Sequence, residues 1–501
     1  MKGNVQKIAG ILMLLGLISI FVGCKGKEAS VSSASGPFRI TIMNRTSTAE
    51  PPAADNAVIK EIERITNTKL DITWSSQAAY PEKLSVTIAS GDYPMLTLFE
   101  GGGKPSTAEI ECVRAGLFWK VGDYVKDPQY KWLQELDDAR IQNASIDGEL
   151  WGMYRTRPAV RNGLYYRKDW AEKLGLDKPK NIDDLYNMVK AFVKDDPDGN
   201  GKNDTFGIGQ EAYLRLVFGA LSPSFGIGNA WDVVDGKLAA VHVEQGYFDM
   251  LKYIKRFYDE GLINRDFPTV TEDRRNELLA DNYGMAITSI DKGRQSIVPL
   301  QKLHPGADFV VMTDLPDVHK LIARTGFDSK YYISKKAVPN EADVKKIIKF
   351  FDDMHSPEIN NLIYNGIEGV HYTKVGANEI TISSEQKAKY NLEVEPVSQL
   401  GFQFLKNNYV IAGNSFLEEQ IDYFYNKYDV PLINDPTQTF ISETQAQKGS
   451  QLEQFIWDSG VQYITGAIDE KGWWAAVDRW RRDGGDAMTA EYQAQYDKVK
   501  K

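Results

Sequence analysis

Between Phe38 and Trp74 the apolar residues change period twice. Phe38, Ile40 and Ile42 fall on alternate positions, Val58, Ile62 and Ile65 recur at helical spacing, and Leu70, Ile72 and Trp74 alternate again. This is a β-α-β unit. Strands separated by helices imply a mainly parallel sheet covered on both faces, and in such sheets ligands sit beyond the carboxyl ends of the strands. Similar periodicity predicts helices over 81–90, 171–176, 182–194, 247–260 and 342–355, and strands over 95–99, 283–288 and 309–312. At 501 residues the chain has room for several such units.

Composition narrows the partner. Acidic residues number 69 against 59 basic ones, for a net charge of −10. Phosphate backbones require a basic face, so no nucleic-acid partner is expected and a small solute is. The amino terminus sets the compartment. Lys2 and Lys7 precede an uncharged run from Ile8 to Gly23, shorter than a bilayer span needs and arranged like a secretory leader. The run ends Phe21-Val22-Gly23-Cys24, and this resembles the lipobox at which bacterial lipoproteins are cleaved and acylated, with Phe21 where Leu is usual. The resemblance implies residues 1–23 as signal peptide, acylation (palmitate) of Cys24, and a Ser/Ala/Lys-rich tether over 24–36, leaving the protein extracytoplasmic on the cell membrane through its lipid alone. The other cysteine, Cys112, has no obvious activating base beside it and reads as a small buried residue.

The segment Asn162-Gly-Leu-Tyr-Tyr-Arg-Lys-Asp-Trp-Ala-Glu-Lys-Leu-Gly-Leu176 resembles the extracellular solute-binding proteins of ABC importers, in particular the long-chain branch with alginate-binding members. Further likeness follows in order: Ser90-Gly-Asp-Tyr-Pro94, Tyr258-Asp-Glu-Gly-Leu-Ile-Asn264, Tyr283-Gly-Met-Ala286 and Gly366-Ile-Glu-Gly-Val-His-Tyr372. The resemblance implies an α/β, two-lobed, periplasmic-binding-protein-like (type II) fold with a cleft between lobes. By that analogy 37–156 and 291–355 form lobe one, and 157–290 and 356–501 form lobe two. The expected function is capture of a carbohydrate, an oligosaccharide or other sugar, by cleft closure and delivery to ABC permease subunits, by a monomer that is not an enzyme. The rival readings are a surface-anchored glycoside hydrolase or lyase, which needs paired carboxylates, and a sugar-sensing subunit for a receptor kinase. No Gly-x-x-x-x-Gly-Lys-Ser/Thr, His-Glu-x-x-His or Gly-x-Ser-x-Gly motif is present.

Asp196-Pro-Asp198-Gly-Asn200-Gly201-Lys202-Asn-Asp204 places oxygen side chains at loop positions one, three, five and nine, with glycine at six. That is the spacing of an EF-hand calcium loop, in which Lys202 at position seven offers its carbonyl. Gly207 stands at position twelve in place of the bidentate Glu, so a weak structural Ca2+ site is expected. For the sugar, aromatic plates edged by polar groups are needed. Analogy with the family puts forward Trp74, Glu100, Trp151, Tyr154, Trp231 and Tyr283 as ligand-binding, with Arg155 and Arg157 available to a uronate. Trp473, Val477 and Trp480 lie at helical spacing and read as packing.

Overall fold

The structure is a computed structural model. It describes residues 36–46, 48, 50–210, 219–290, 293–403, 409–412, 416–426 and 428–499. Phe38–Lys501 form one compact unit. Cys24 and the whole leader lie outside the described residues. Among the described residues no helix is long and apolar enough to cross a membrane.

The Phe38–Lys501 unit is built on two sheets. The predicted β-α-β unit opens the first: β1 (Phe38–Thr46), α1 (Ala57–Thr66) and β2 (Thr68–Ser76), with β1 and β2 parallel in register from Phe38 opposite Thr68 to Thr46 opposite Ser76. The Asn56 side chain caps α1 by accepting from the Ile59 amide at 3.0 Å, and Val58 and Ile62 turn inward. α2 (Tyr80–Ser90) leads to β3 (Leu96–Glu100) and α3 (Thr107–Arg114), and β4 (Gly152–Thr156) completes this part of the chain. The second sheet takes β5 (Asn162–Arg167), β6 (Phe206–Ile208), β9 (Tyr283–Ser289) and β10 (Phe309–Met312). Between them a small hairpin, β7 (Trp231–Val234) and β8 (Lys237–Ala240), stands apart. The chain then makes β11 (Leu321–Ile322) and re-enters the first sheet as β12 (Phe327–Ile333). The first sheet runs β2-β1-β3-β12-β4 and the second β10-β5-β9-β6. Every residue of β5 and β9 is buried, as expected of strands with both faces covered.

Each sheet has its own core. Ile40, Ile42, Leu98, Ile333, Ile347 and Phe351 centre the first, and Leu164, Phe192, Phe248, Met285, Trp473 and Trp480 the second. The cores redraw two of the expected lobe boundaries. Residues 293–312 belong with the second sheet rather than lobe one, because β10 pairs antiparallel with β5, Phe309 opposite Arg167. Residues 357–402 belong with the first sheet rather than lobe two, because Ile359, Ile363, Val397 and Phe402 bury against its core. The chain therefore crosses between the sheets after β4, again between β10 and β12, and a third time beyond Gln403.

Candidate functional site

Strands β1, β3 and β4 of the first sheet end at one edge, and antiparallel β12 begins there. The side chains at this edge are charged. Arg45 pairs with Glu100 and lies 3.7 Å from Asp328; Arg155 lies 3.6 Å from Asp328, and Arg157 pairs with it as well. Arg155 is wholly buried and also donates to the Gly401 carbonyl at 2.9 Å and to Gln399 Oε1 at 3.2 Å. Burial alone would raise the Asp328 carboxyl, but Arg155 and Arg157 outweigh it and hold the group below the usual carboxylate range. Arg157 is itself pushed down to about 10 by burial, with Arg155 and Arg161 adding to the effect and Asp328 opposing it. Asp328 is thus the counter-charge around which the first and second crossings are tied. Beyond the end of β1 a cavity of about 560 Å3 opens between Glu50, Asp55 and Asn56 on one side and Asn391 and Glu393 on the other.

The loop from Gly101 to Ser106, after β3, reaches across to the second core. A Cβ on Gly102 would collide with the Phe327 carbonyl, so only glycine lets this loop pass so close to β12. Further on, Lys104 places its ammonium 3.4 Å from the Phe440 carbonyl and 4.9 Å from the Tyr492 ring centre. Burial pushes Lys104 down to about 8, with Asp435 opposing. Asp435, raised by burial, accepts from the Thr437 amide at 2.8 Å and from its hydroxyl at 2.7 Å. Thr107 Oγ1 donates to the Ala446 carbonyl at 2.7 Å, a second tie between the two halves.

The six residues put forward for the ligand separate. Glu100 is at the charged edge, paired with Arg45. Trp74, near the end of β2, is half-buried against the first core. Trp151 is half-buried too, donating to the Ile146 carbonyl at 3.2 Å with Lys120 over its ring. The remaining three have their rings inside the protein. Tyr154 is fully buried beside Phe327, Trp231 meets Tyr492 edge to face at 5.1 Å, and Tyr283 stacks on Phe206 at 4.8 Å. Their faces are taken by packing partners, so they stabilise the fold and offer a sugar no plate. Trp473, Val477 and Trp480 pack in the second core, as the helical spacing predicted. In the Gly366 to Tyr372 turn, His371 accepts from the Ile367 amide at 2.9 Å and faces Glu393 at 3.2 Å, a structural role.

In the loop from Asp196 to Asp204, Gly199 and Gly201 take the left-handed conformation that folds it tightly. Asp196 accepts from the amides of Gly199, Asn200 and Gly201 at 3.0 to 3.1 Å. The Asn200 amide donates to Asp198 at 2.8 Å and to Asp204 at 3.1 Å, so it bridges two carboxylates. Lys202 donates its amide to Asn200 Oδ1 at 2.7 Å. Asp198 hydrogen-bonds Asp196 and, with Gly201, lowers it, whereas burial and Asp196 leave Asp198 raised. Among the described residues no three acidic, His or Cys side chains stand close enough together to hold a metal. The donor set still fits calcium in kind, all hard oxygen, once Asn200 turns its carbonyl toward the carboxylates it now bridges.

Arg45, Asp328, Lys104 and Asp435 were not singled out by the sequence. Arg45 was within reach, since it ends the first strand; Asp328 was not, because nothing local places β12 between β3 and β4.

Two sheets with separate cores, a chain that crosses between them three times and a polar strand-end edge at the crossings define a two-lobed binding protein. The model of the bacterial extracellular solute-binding proteins matches residues 45–292. The chain is 30% identical over 99% of its length to the polygalacturonan/rhamnogalacturonan-binding protein YtcQ of Bacillus subtilis, covering all of that protein. It is 27% identical over 42% of its length, and 42% of the relative's, to the fructooligosaccharide ABC transporter substrate-binding protein FusA of Streptococcus pneumoniae. In fold it is similar to an extracellular solute-binding protein from Bifidobacterium longum subsp. infantis, with a TM-score of 0.70 at 18% identity, over 93% of this chain and 99% of that one. The alginate-binding protein AlgQ2 matches with a TM-score of 0.66 at 19% identity, over 92% of this chain and 98% of that one. The chain belongs to the bacterial extracellular solute-binding protein family.

Proposed function

We propose that the protein captures an oligosaccharide between its two lobes and delivers it to the permease of an ABC importer without altering it. The observation that carries this reading is the end-to-end likeness to YtcQ, a protein named for the glycans it binds. Solute that touches both lobes favours the closed arrangement, and only that differential affinity moves the equilibrium. The crossings after β4 and between β10 and β12, tied through Asp328, are where such closure pivots. The family and its neighbours are binding proteins rather than enzymes, which favours this reading over a surface-anchored hydrolase.

Two finer points belong to the same proposal. Cys24 carries the lipid that anchors the mature chain to the cell membrane; a lipoprotein of Bacillus subtilis, LipO, covering 97% of this chain at 30% identity, supports it. Ca2+ occupies the loop from Asp196 to Asp204, held by Asp196, Asp198, Asn200, Asp204 and the Lys202 carbonyl, where it neutralises crowded carboxylates. Solved structures similar in fold include an EF-hand mutant of FusA and the alginate-binding protein AlgQ2 without calcium ion, which supports a metal at the loop.

Thermal shift of the purified mature chain against a panel of neutral and acidic oligosaccharides tests the function. A saturable rise in Tm for one class, with the sugar recovered intact, is expected; release of reducing ends would refute capture without chemistry. Cys24→Ser is expected to move the protein from the membrane fraction to the medium, and unchanged membrane attachment would refute the lipid anchor.

A further inference from the structure

We propose that Ile441 and its neighbours form a releasable latch between the lobes, a contact made by protein groups that sets how much of the protein rests in the arrangement seen here; this rests on the two-lobed capture reading above and names what governs its resting state. Beside the main core of the first lobe, Tyr93, Phe99, Cys112, Val113, Phe118 and Tyr332 form a smaller apolar cluster. Phe440 is buried in the second core, and the next residue, Ile441, packs half-buried against that smaller cluster of the first lobe. One dipeptide thus spans the divide. On either side of it, Lys104 and Thr107 reach the Phe440 and Ala446 carbonyls at 3.4 and 2.7 Å.

Each face of the contact is mounted on its own lobe. Gln495, on the helix Asp486–Val499, accepts from the Ile441 amide at 3.1 Å and donates to the Ile441 carbonyl at 2.6 Å. One turn earlier, Glu491 accepts from the Thr444 amide at 3.1 Å, from the Thr444 hydroxyl at 2.7 Å and from the Ser442 hydroxyl. The backbone that presents Ile441 is therefore satisfied within the second lobe. In the first lobe, buried Glu109 of α3 pairs with Lys330 at 2.7 Å and accepts from the Tyr332 hydroxyl, so α3 is tied to β12. Breaking such a pair would strand a buried charge, which keeps α3 in place. Between these two mounts stand one aliphatic side chain, the Thr107 hydroxyl bond and Lys104, so the junction parts before either face does. It also borders the second crossing, where the Thr325 hydroxyl bonds the Gly102 carbonyl and Leu321 pairs with Leu432, so a rotation there opens or shuts it. A junction with two ready-made faces is a two-state element, and its free energy adds to one arrangement whatever the cleft holds. It shifts affinity for solute through the population of the competent state, without a contact to the solute.

Pulsed spin-label distance measurements on the mature chain test this, with Cys24→Ser to keep it in solution and labels at Lys60→Cys and Lys252→Cys. These positions are exposed, on α1 and on the second-lobe helix Gln245–Asp259, and Cys112 is buried. In Ile441→Asp, without added sugar, the population at the main wild-type distance is expected to fall threefold or more. Ile441→Ala and Thr107→Val are expected to shift it the same way by less, with unchanged circular dichroism, and they carry the test if Ile441→Asp does not fold. Distances identical to wild type in the folded variants would overturn the latch and leave sugar capture, read by the thermal-shift panel above, standing. Shifted distances with no response to any sugar of that panel would uphold the latch and overturn the carbohydrate reading.

Discussion

Carboxylates crowd together at two places in this molecule, and their neutralisation differs. At the sheet edge, Asp328 is largely buried and its counter-charges are the protein's own Arg45, Arg155 and Arg157. In the loop from Asp196 to Asp204 the acids stand in solvent, and what joins them is the amide of Asn200 and the loop's own backbone. Internal guanidiniums fix a geometry permanently, because removing one partner strands a buried charge. The first arrangement suits a pivot that must keep its shape through closure. The second leaves a tight exposed turn closed by its own amides.

The largest effect that separates the two is expected from Asp328→Ala. It leaves three arginines at the crossings without a shared anion, and a cost of about 3–5 kcal/mol is expected by chemical denaturation. Asp328→Ala within 1 kcal/mol of wild type would mean that the crossings are held by something else. The acid limb carries the sign. A carboxyl held below its ordinary value contributes stability above the unfolded pKa and loses it as pH falls through the folded one, so wild type is expected to weaken below about pH 4. The variant is expected to lack that part of the acid slope.

A smaller effect is expected at the loop. Chelation of the proposed ion is expected to lower Tm by about 3–6 °C, as follows from saturating a weak site in excess calcium. Asp196→Ala with Asp204→Ala is expected to abolish the response to chelator while leaving the acid limb due to Asp328 intact. A chelator response that survives both changes would place the metal elsewhere.

The contrast also explains what the sequence could reveal. The tight turn from Asp196 to Asp204 was legible residue by residue, because its glycines and the carboxylates that accept from its amides lie within nine consecutive positions. The β1-α1-β2 unit and the strands at β9 and β10 were legible for the same reason, since period is local. Asp328 was hidden, because its meaning comes from β12 inserting between β3 and β4 after a detour of some 170 residues through the second sheet. The lobe boundaries failed on the same ground. Nothing near Pro357 or Phe309 in the sequence reveals which sheet they join, and only strand pairing and core contact decide it. Tyr154, Trp231 and Tyr283 misled because a strand-end position places a residue near the cleft without fixing which way its ring turns. Trp231 turned toward Tyr492, a residue contributed by the last helix of the chain, Asp486–Val499.

Lys104 gives the smallest and most diagnostic test, for it stands where neither solution is complete. Its ammonium is largely enclosed, and its opposing carboxylate, Asp435, comes from a segment more than 300 residues further along the chain. The amine is pushed down to about 8, whereas an unfolded lysine titrates near 10.4. Below pH 8 both states hold the proton and the folded one bears the cost of enclosing the charge. Between pH 8 and 10.4 the unfolded chain holds a proton that the folded protein has released, so this group makes the fold more stable as pH rises through that window. Lys104→Met is expected to remove that alkaline rise and to change stability at pH 7 by only about 1 kcal/mol, because the cost of enclosing the ammonium is offset in part by its attraction to Asp435. Melting curves at intervals from pH 7 to 10 for both proteins read the difference. An alkaline slope identical in the variant would show that Lys104 stands in water, and the loop after β3 would then not be pressed against the second core.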